Sequence, residues 1–224
     1  MNKILCFDTA HNCCSVAVSI NQKIVAYEQD LRTSMQAETL MVMIESALNQ
    51  ANIDYSELNY LATTVGPGSF TGIRVGLAAA HGIMHATGIT GVAINSFEAS
   101  YYRLRQQIAN FDYAFIVINA YRNQQYLQVF NQKQPISEAK LVNNIDIVNI
   151  MRAYNGIIAC AGSGVMSIYP SIQSMSNLIC LPRFAVVKAS SLIRLASDII
   201  KDDLVTSLEP MYIRAPDAQL PIAK

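Results

Sequence analysis

The chain has 224 residues, of which 52% are hydrophobic and only 14% charged, and its sixteen basic and sixteen acidic side chains leave a formal net charge of zero. That length supports one large core or two modest ones. A balanced charge excludes a global positive field that would hold nucleic acid; where RNA takes part, another protein holds most of it. Cys6, Cys13, Cys14, Cys160 and Cys180 include no CxxC pair, which fits buried or inert thiols in a reducing compartment better than a disulfide framework. Asp8 interrupts the N-terminal apolar run before a signal-peptide core can form. No apolar stretch reaches the length of a membrane span, so a soluble cytoplasmic protein is expected.

In chain order, KILCFDT (3–9), CSVAVSI (14–20) and KIVAYEQ (23–29) read as three strands joined by short polar turns, an antiparallel meander. The period then changes. In 34–52, Leu40, Met43, Ile44, Ala47 and Leu48 recur at helical spacing. YLATTV (60–65) is a short strand, followed by a glycine-rich turn, a helix over 71–87 that Gly88 stops, and a strand TGVAIN (90–95). A third helix occupies 96–110 with Ser96 as its N-cap. The order βββαβαβα is that of the ribonuclease-H-like lobe found in the actin and sugar-kinase superfamily, an analogy of fold alone. Near Asn110 the pattern restarts. Strands at 113–120 and 124–132, a helix at 145–154, a strand at 156–162 and an amphipathic helix at 188–203 make the second half a shortened copy. The expected fold is α/β, with two actin-like lobes, each a mixed sheet with helices. The expected domains are 1–110 and 111–224, with the tail 208–224 packing back on the first lobe.

The stretch TTVGPGSFTGIRVGLAAAHG (63–82) admits two readings. A phosphate loop needs converging backbone N–H groups and usually a cation. Here Ile73 stands where GxxxxGK[ST] requires lysine, and GPGSFTG is one residue too long for GxGxxG. The alternative is close packing. On the helix, Ile73, Leu77, Ala80 and Met84 form one apolar line, while Gly72, Gly76, Ala79 and Ile83 form a second that is nearly bare of side chain. A helical glycine costs about 1 kcal/mol relative to alanine, so something must approach that line closely. Either the same chain covers it, or it is a docking surface. The docking reading takes Gly68, Phe70, Gly72, Gly76, Ala79 and Ile83, with Leu40 and Met43 of the preceding helix, as interface residues.

His81 and His85 are spaced i, i+4, but no glutamate lies between them and no third ligand is evident. Asp8, at the end of the first strand, is where this fold class places a magnesium-linked carboxylate. Asn95 and Asn119 stand where companion acids would be needed, so a turn role for Asp8 is the default. A phosphotransferase would use Asp8, the hairpin 9–14 and the AGSG turn with Gly162 and Gly164 around a nucleotide. A third possibility is a plain homodimer.

FDTAHNCCSVAV, VGPGSFTGIRVGLAAAHGI and LEPMYIRAPDAQLP together resemble the TsaB (YeaZ) family of bacterial tRNA threonylcarbamoyladenosine biosynthesis proteins. The resemblance implies a subunit that catalyses nothing alone and needs no cofactor or metal of its own. It implies docking on a TsaD-type catalytic paralogue through helices 34–52 and 71–87, a TsaE-type ATPase in the same complex, and a homodimer when alone. ATP or ADP would enter with the assembled complex, tRNA would be met only indirectly, and no membrane is involved. Catalytic TsaD-type proteins carry a metal-binding NHxxxH, and the corresponding NSFEAS here puts Ser96 and Ser100 at the histidine positions. Hydroxyls are poor ligands for a transition metal. Two positions depart from the TsaB pattern: Gln36 or a neighbour lies where a histidine is usual near the start of the first helix, and Asn119 in NAYR replaces the acid of DAR.

Overall fold

The computed structural model describes residues 2–11, 13–32, 35–181 and 187–214. Strands β1 (Lys3–Asp8), β2 (Cys14–Ile20) and β3 (Lys23–Asp30) form the expected meander. Helix α1 (Gln36–Ala51) leads through a short 3-10 turn, Tyr55–Glu57, to β4 (Tyr60–Gly66), α2 (Phe70–Thr87), β5 (Thr90–Asn95) and α3 (Ser96–Arg105). Strands β4 and β5 add in parallel, giving the order β3-β2-β1-β4-β5. The second half contains β6 (Tyr113–Asn119), β7 (Gln124–Phe130), β8 (Lys140–Asn143), α4 (Asn144–Arg152), β9 (Ile158–Ala161), α5 (Val165–Ile172), β10 (Leu178–Cys180) and α6 (Ala189–Lys201). Its order, β10-β9-β6-β7-β8, repeats the first layout strand for strand. The α/β fold with two actin-like sheets is therefore the one found.

Strands β1 and β4 are buried along nearly their whole length because both faces of their sheet are covered. Leu5, Phe7, Leu61 and Val65 point to α1 and α2. Ile4, Cys6, Ala62 and Ile94 point to Leu192, Ile193 and Ala196 of α6. The helices are thus exchanged between halves. Helix α6, grouped with the second half by its sequence position, packs on the first sheet, and the backbone N–H of Ala189 donates to Ser15 Oγ at 2.9 Å. Helix α3, from the first half, lays Phe97, Tyr101 and Leu104 on Ala114 and Ile116 of the second sheet. The sheets divide between Arg105 and Tyr113; the helices do not.

Several details differ from the expectations. Asn95 rather than Ser96 caps α3, its Oδ1 accepting from Phe97 N at 2.8 Å, and Ser96 is the first helical residue. The same helix ends at Arg105, before the exposed Gln106 and Gln107. Strands β8 and β10 were not foreseen because they are four and three residues long, too short to display alternation. Helix α5 was hidden by Pro170, a residue that reads as a breaker. Gly88 ends α2 as expected, with φ 74° and its N–H on Met84 O.

After α6 the segment 208–214 crosses back. Leu208 joins the first core, Met211 N donates to Val65 O at 2.8 Å, and Arg214 reaches Gln124 Oε1 at 2.7 Å on the second sheet. The remainder of the expected tail, 215–224, lies outside the described residues. No described helix is long and apolar enough to cross a membrane.

Candidate protein-docking site

The glycine turn is a close-packing device against the chain's own first hairpin. Ser69 N donates to Ala10 O at 2.9 Å, Thr9 Oγ1 donates to Gly72 O at 2.7 Å, and Ser69 Oγ caps α2 by accepting from Gly72 N at 3.2 Å. A Cβ at Gly68 would lie 2.5 Å from Ala10 O, and one at Gly76 would lie 2.6 Å from Thr9 Oγ1. At Gly72 it would overlap the Thr9 carbonyl oxygen itself. The bare line on α2 is therefore covered from within, and the assignment of Gly68, Gly72 and Gly76 to a partner interface is corrected. Leu40 and Met43 are corrected as well, since both are buried in the first core. The reason is the same in each case: a bare or apolar line demands a neighbour, and here residues 9–11 and the sheet already supply it.

The crossing segment lies along a second flank of α2 and leaves its aromatic rings in water, with Phe70 48% and Tyr212 42% exposed. Phe70 meets Tyr212 with ring centroids 5.3 Å apart, and Arg74 lies 3.8 Å over the Phe70 ring while its Nε donates to Tyr212 Oη at 3.1 Å. His81 Nε2 donates to Leu208 O at 3.1 Å, so His81 is engaged with backbone rather than with His85.

A further flank is open as well. Between α1 and α2 runs a groove of about 420 Å³ lined by Met41, Glu45, Tyr55, Ala79, Gly82, Ile83, Ala86 and Thr87. Of the residues expected at an interface, only Ala79 and Ile83 line it. Met41 is 40% exposed and its neighbour Val42 65%. A Cβ at Gly82 would meet nothing within 4 Å, so this helix-interior glycine has no reason inside the fold. The Tyr55 hydroxyl, sunk in the groove wall, has no hydrogen-bond partner among the described residues. Burial raises that phenol's pKa, and the Glu45 carboxylate adds to the effect. Sequence reasoning passed over Gly82. The available signal was the small-residue row Ala78, Gly82, Ala86, one helical face away from Gly72 and Gly76.

Asp8 is fully buried. Its Oδ1 accepts from the Thr64 hydroxyl and from His11 Nδ1, the latter at 3.0 Å, while Oδ2 and His11 Nε2 have no partner among the described residues. This is a structural turn holding β1, β4 and the hairpin together; Asn12 of that hairpin lies outside the described residues. Asp8→Ala should lower stability by about 3 kcal/mol in urea denaturation, because it leaves two buried donors without an acceptor. Gly162 and Gly164, expected near a nucleotide, are shut by their own sheet: a Cβ on either would overlap Val117 O or Gln125 Oε1 respectively. Asn119 makes a local turn, its Oδ1 accepting from Tyr121 N at 2.9 Å.

Ser96 and Ser100 are buried on successive turns of α3, and the Ser96 hydroxyl has no partner among the described residues. Two hydroxyls do not fit the metal that the catalytic relatives' NHxxxH implies. No described group of three or more His, Cys, Asp or Glu residues could hold a metal ion.

Comparison with known proteins gives the following. The family described as TsaD, tRNA N6-adenosine threonylcarbamoyltransferase, matches residues 33–155, more than half of the 224. The tRNA N6-adenosine threonylcarbamoyltransferase of Erythrobacter litoralis is 36% identical over 92 residues, 40% of this chain and 27% of that protein. The tRNA threonylcarbamoyladenosine biosynthesis protein TsaB of Buchnera aphidicola subsp. Baizongia pistaciae is 34% identical over 83 residues, 37% of each chain. These alignments take in well under half of either curated relative. The solved structure of YeaZ from Pseudomonas aeruginosa superposes with a TM-score of 0.81 at 18% identity, covering 95% of this chain and all of the other. The resemblance to TsaB (YeaZ) is supported by this sequence relative and by the fold.

Proposed function

We propose, from the premise that this chain belongs to the TsaD, tRNA N6-adenosine threonylcarbamoyltransferase, family, that it serves tRNA threonylcarbamoyladenosine biosynthesis as a non-catalytic docking subunit. The observation that carries this reading is the open groove between α1 and α2, where Gly82 has no neighbour and Met41 and Ala86 are exposed. A partner helix laid there could approach the α2 backbone closely, bury those side chains at about 25 cal/mol per Å² of apolar surface, and offer an acceptor to the Tyr55 hydroxyl. The partner is a TsaD-type catalytic paralogue; a TsaE-type ATPase joins, nucleotide enters with the assembled complex, and tRNA is held by the other subunits. Alone, the chain pairs with a second copy through the same groove.

Support for a non-catalytic role comes from Ser96 and Ser100 in place of metal ligands and from the enclosure of Asp8, which also weighs against a phosphotransferase. The test is reconstitution of tRNA modification from purified components. Omitting this chain should reduce threonylcarbamoyladenosine formation by the catalytic paralogue and the ATPase to background, and adding it back should restore the product. Equal product without it would overturn the proposal, as would product formed by this chain alone.

A further inference from the structure

The five thiols are not equivalent. Cys6, Cys13 and Cys14 are buried in the first half, and burial raises their pKa values, to about 12 for Cys13 and about 11 for Cys14. Cys13 and Cys14 are consecutive, and Cys14 opens a strand. The second half differs. Parallel strands β9 and β10 pair with Cys160 directly opposite Cys180, so both side chains leave the same face of the sheet. Both pack in the cluster built around Phe115, Val117 and Ile168. Neighbouring strands lie about 4.8 Å apart, inside the range of roughly 4.4–6.8 Å between Cα atoms that a disulfide spans.

Facing each other across the two strands, the two thiols bias each other's ionisation. Cys180 and burial push the pKa of the Cys160 thiol up, while Cys160 lowers that of Cys180. Cys180 is only half-buried and lies on β10, the last strand of its sheet. One thiol is therefore reachable and inclined to ionise, and the other is hidden directly behind it. That is the division of labour between an attacking and a resolving cysteine.

We propose that Cys160 and Cys180 form a thiol–disulfide exchange site whose oxidant is a low-molecular-weight disulfide of the glutathione type. The Cys180 thiolate attacks one sulfur of the disulfide, a mixed disulfide forms, and the first small thiolate leaves and takes up a proton. Cys160 then loses its proton and attacks Cys180 Sγ, and the second small thiolate leaves and takes up that proton. The net change is one protein dithiol oxidised by two electrons and one small disulfide reduced to two thiols. The product ties the edge strand β10 covalently to β9, and excess small thiol reverses it.

The experiment treats the full chain with oxidised glutathione and follows intact mass and peptide maps. The wild-type chain should lose a pair of hydrogens, retain no glutathionyl group, and yield a Cys160–Cys180 cross-linked peptide. Cys160→Ser, which keeps the attacking thiol, should stop at a stable glutathionyl adduct on Cys180. Cys180→Ser should consume the reagent about tenfold more slowly or less, since the remaining thiols are buried. Cys160→Ala serves as a second variant should serine disturb the core. A wild-type chain that stays unmodified, that retains glutathione on Cys180, or that pairs other cysteines would overturn the proposal.

Discussion

Gly72→Ala is expected to destabilise the fold by about 3 kcal/mol, read as a lowered midpoint in urea denaturation. Helix propensity alone predicts the opposite sign, a gain of up to about 1 kcal/mol for replacing a helical glycine by alanine. The two effects separate cleanly here because the added methyl would overlap a backbone atom, the Thr9 carbonyl oxygen, rather than the yielding end of a side chain. Relief requires moving the N-terminus of α2 away from the first hairpin. That movement strains the Thr9 hydroxyl bond to Gly72 O and the Ser69 N–H bond to Ala10 O. Gly82→Ala on the same helix provides the control. It meets open space and should gain the propensity term undiminished. If the two variants proved equally stable, the interlock between hairpin and helix would not be what requires Gly72.

Gly82→Leu should leave the isolated chain at least as stable as the parent, yet weaken association with the TsaD-type paralogue by about a hundredfold or more. The leucine would stand in the groove floor between Ala79 and Ala86, holding a partner's backbone away from α2 and keeping Met41 in water. Calorimetric titration of the variant against the paralogue measures this, with the self-association state of the variant as a second readout. A substitution at exposed Arg194 of α6, on the first sheet's opposite face, should leave binding unchanged. Wild-type affinity in Gly82→Leu would remove the groove from consideration. Gly76→Leu is unsuitable for this purpose, because the side chain would strike Thr9 and lose the fold together with the interface.

The sequence revealed the first half of the fold more fully than the second. Strands β1 to β5 are bounded by turns and helices long enough to show their periods, whereas β8, β10 and the proline-containing α5 offer no window in which a period develops. The exchange of α3 and α6 between sheets left no local trace, since an amphipathic helix states that it needs an apolar floor but not which one. The site followed the same logic. Periodicity identified a row on α2 too bare to be left in water, and this was sound. Whether the covering neighbour is Thr9, more than sixty positions earlier, or another molecule is a matter of tertiary contact. Gly82, which meets open space, looked like one more glycine among five in the stretch 63–82. The pairing of Cys160 with Cys180 was equally silent, because register between parallel strands depends on the loop and helix between them rather than on a short spacing.

The placement of α6 also bears on how the protein is made. Multi-lobed chains generally mature one lobe at a time as they leave the ribosome, the N-terminal lobe first. Here the floor formed by Ile4, Cys6, Ala62 and Ile94 waits for residues 189–201. All five strands of the first sheet emerge well ahead of their cover, and the whole second sheet is synthesised in the interval. A nascent chain of this kind presents an apolar face from the completion of β5 at Asn95 until α6 is made.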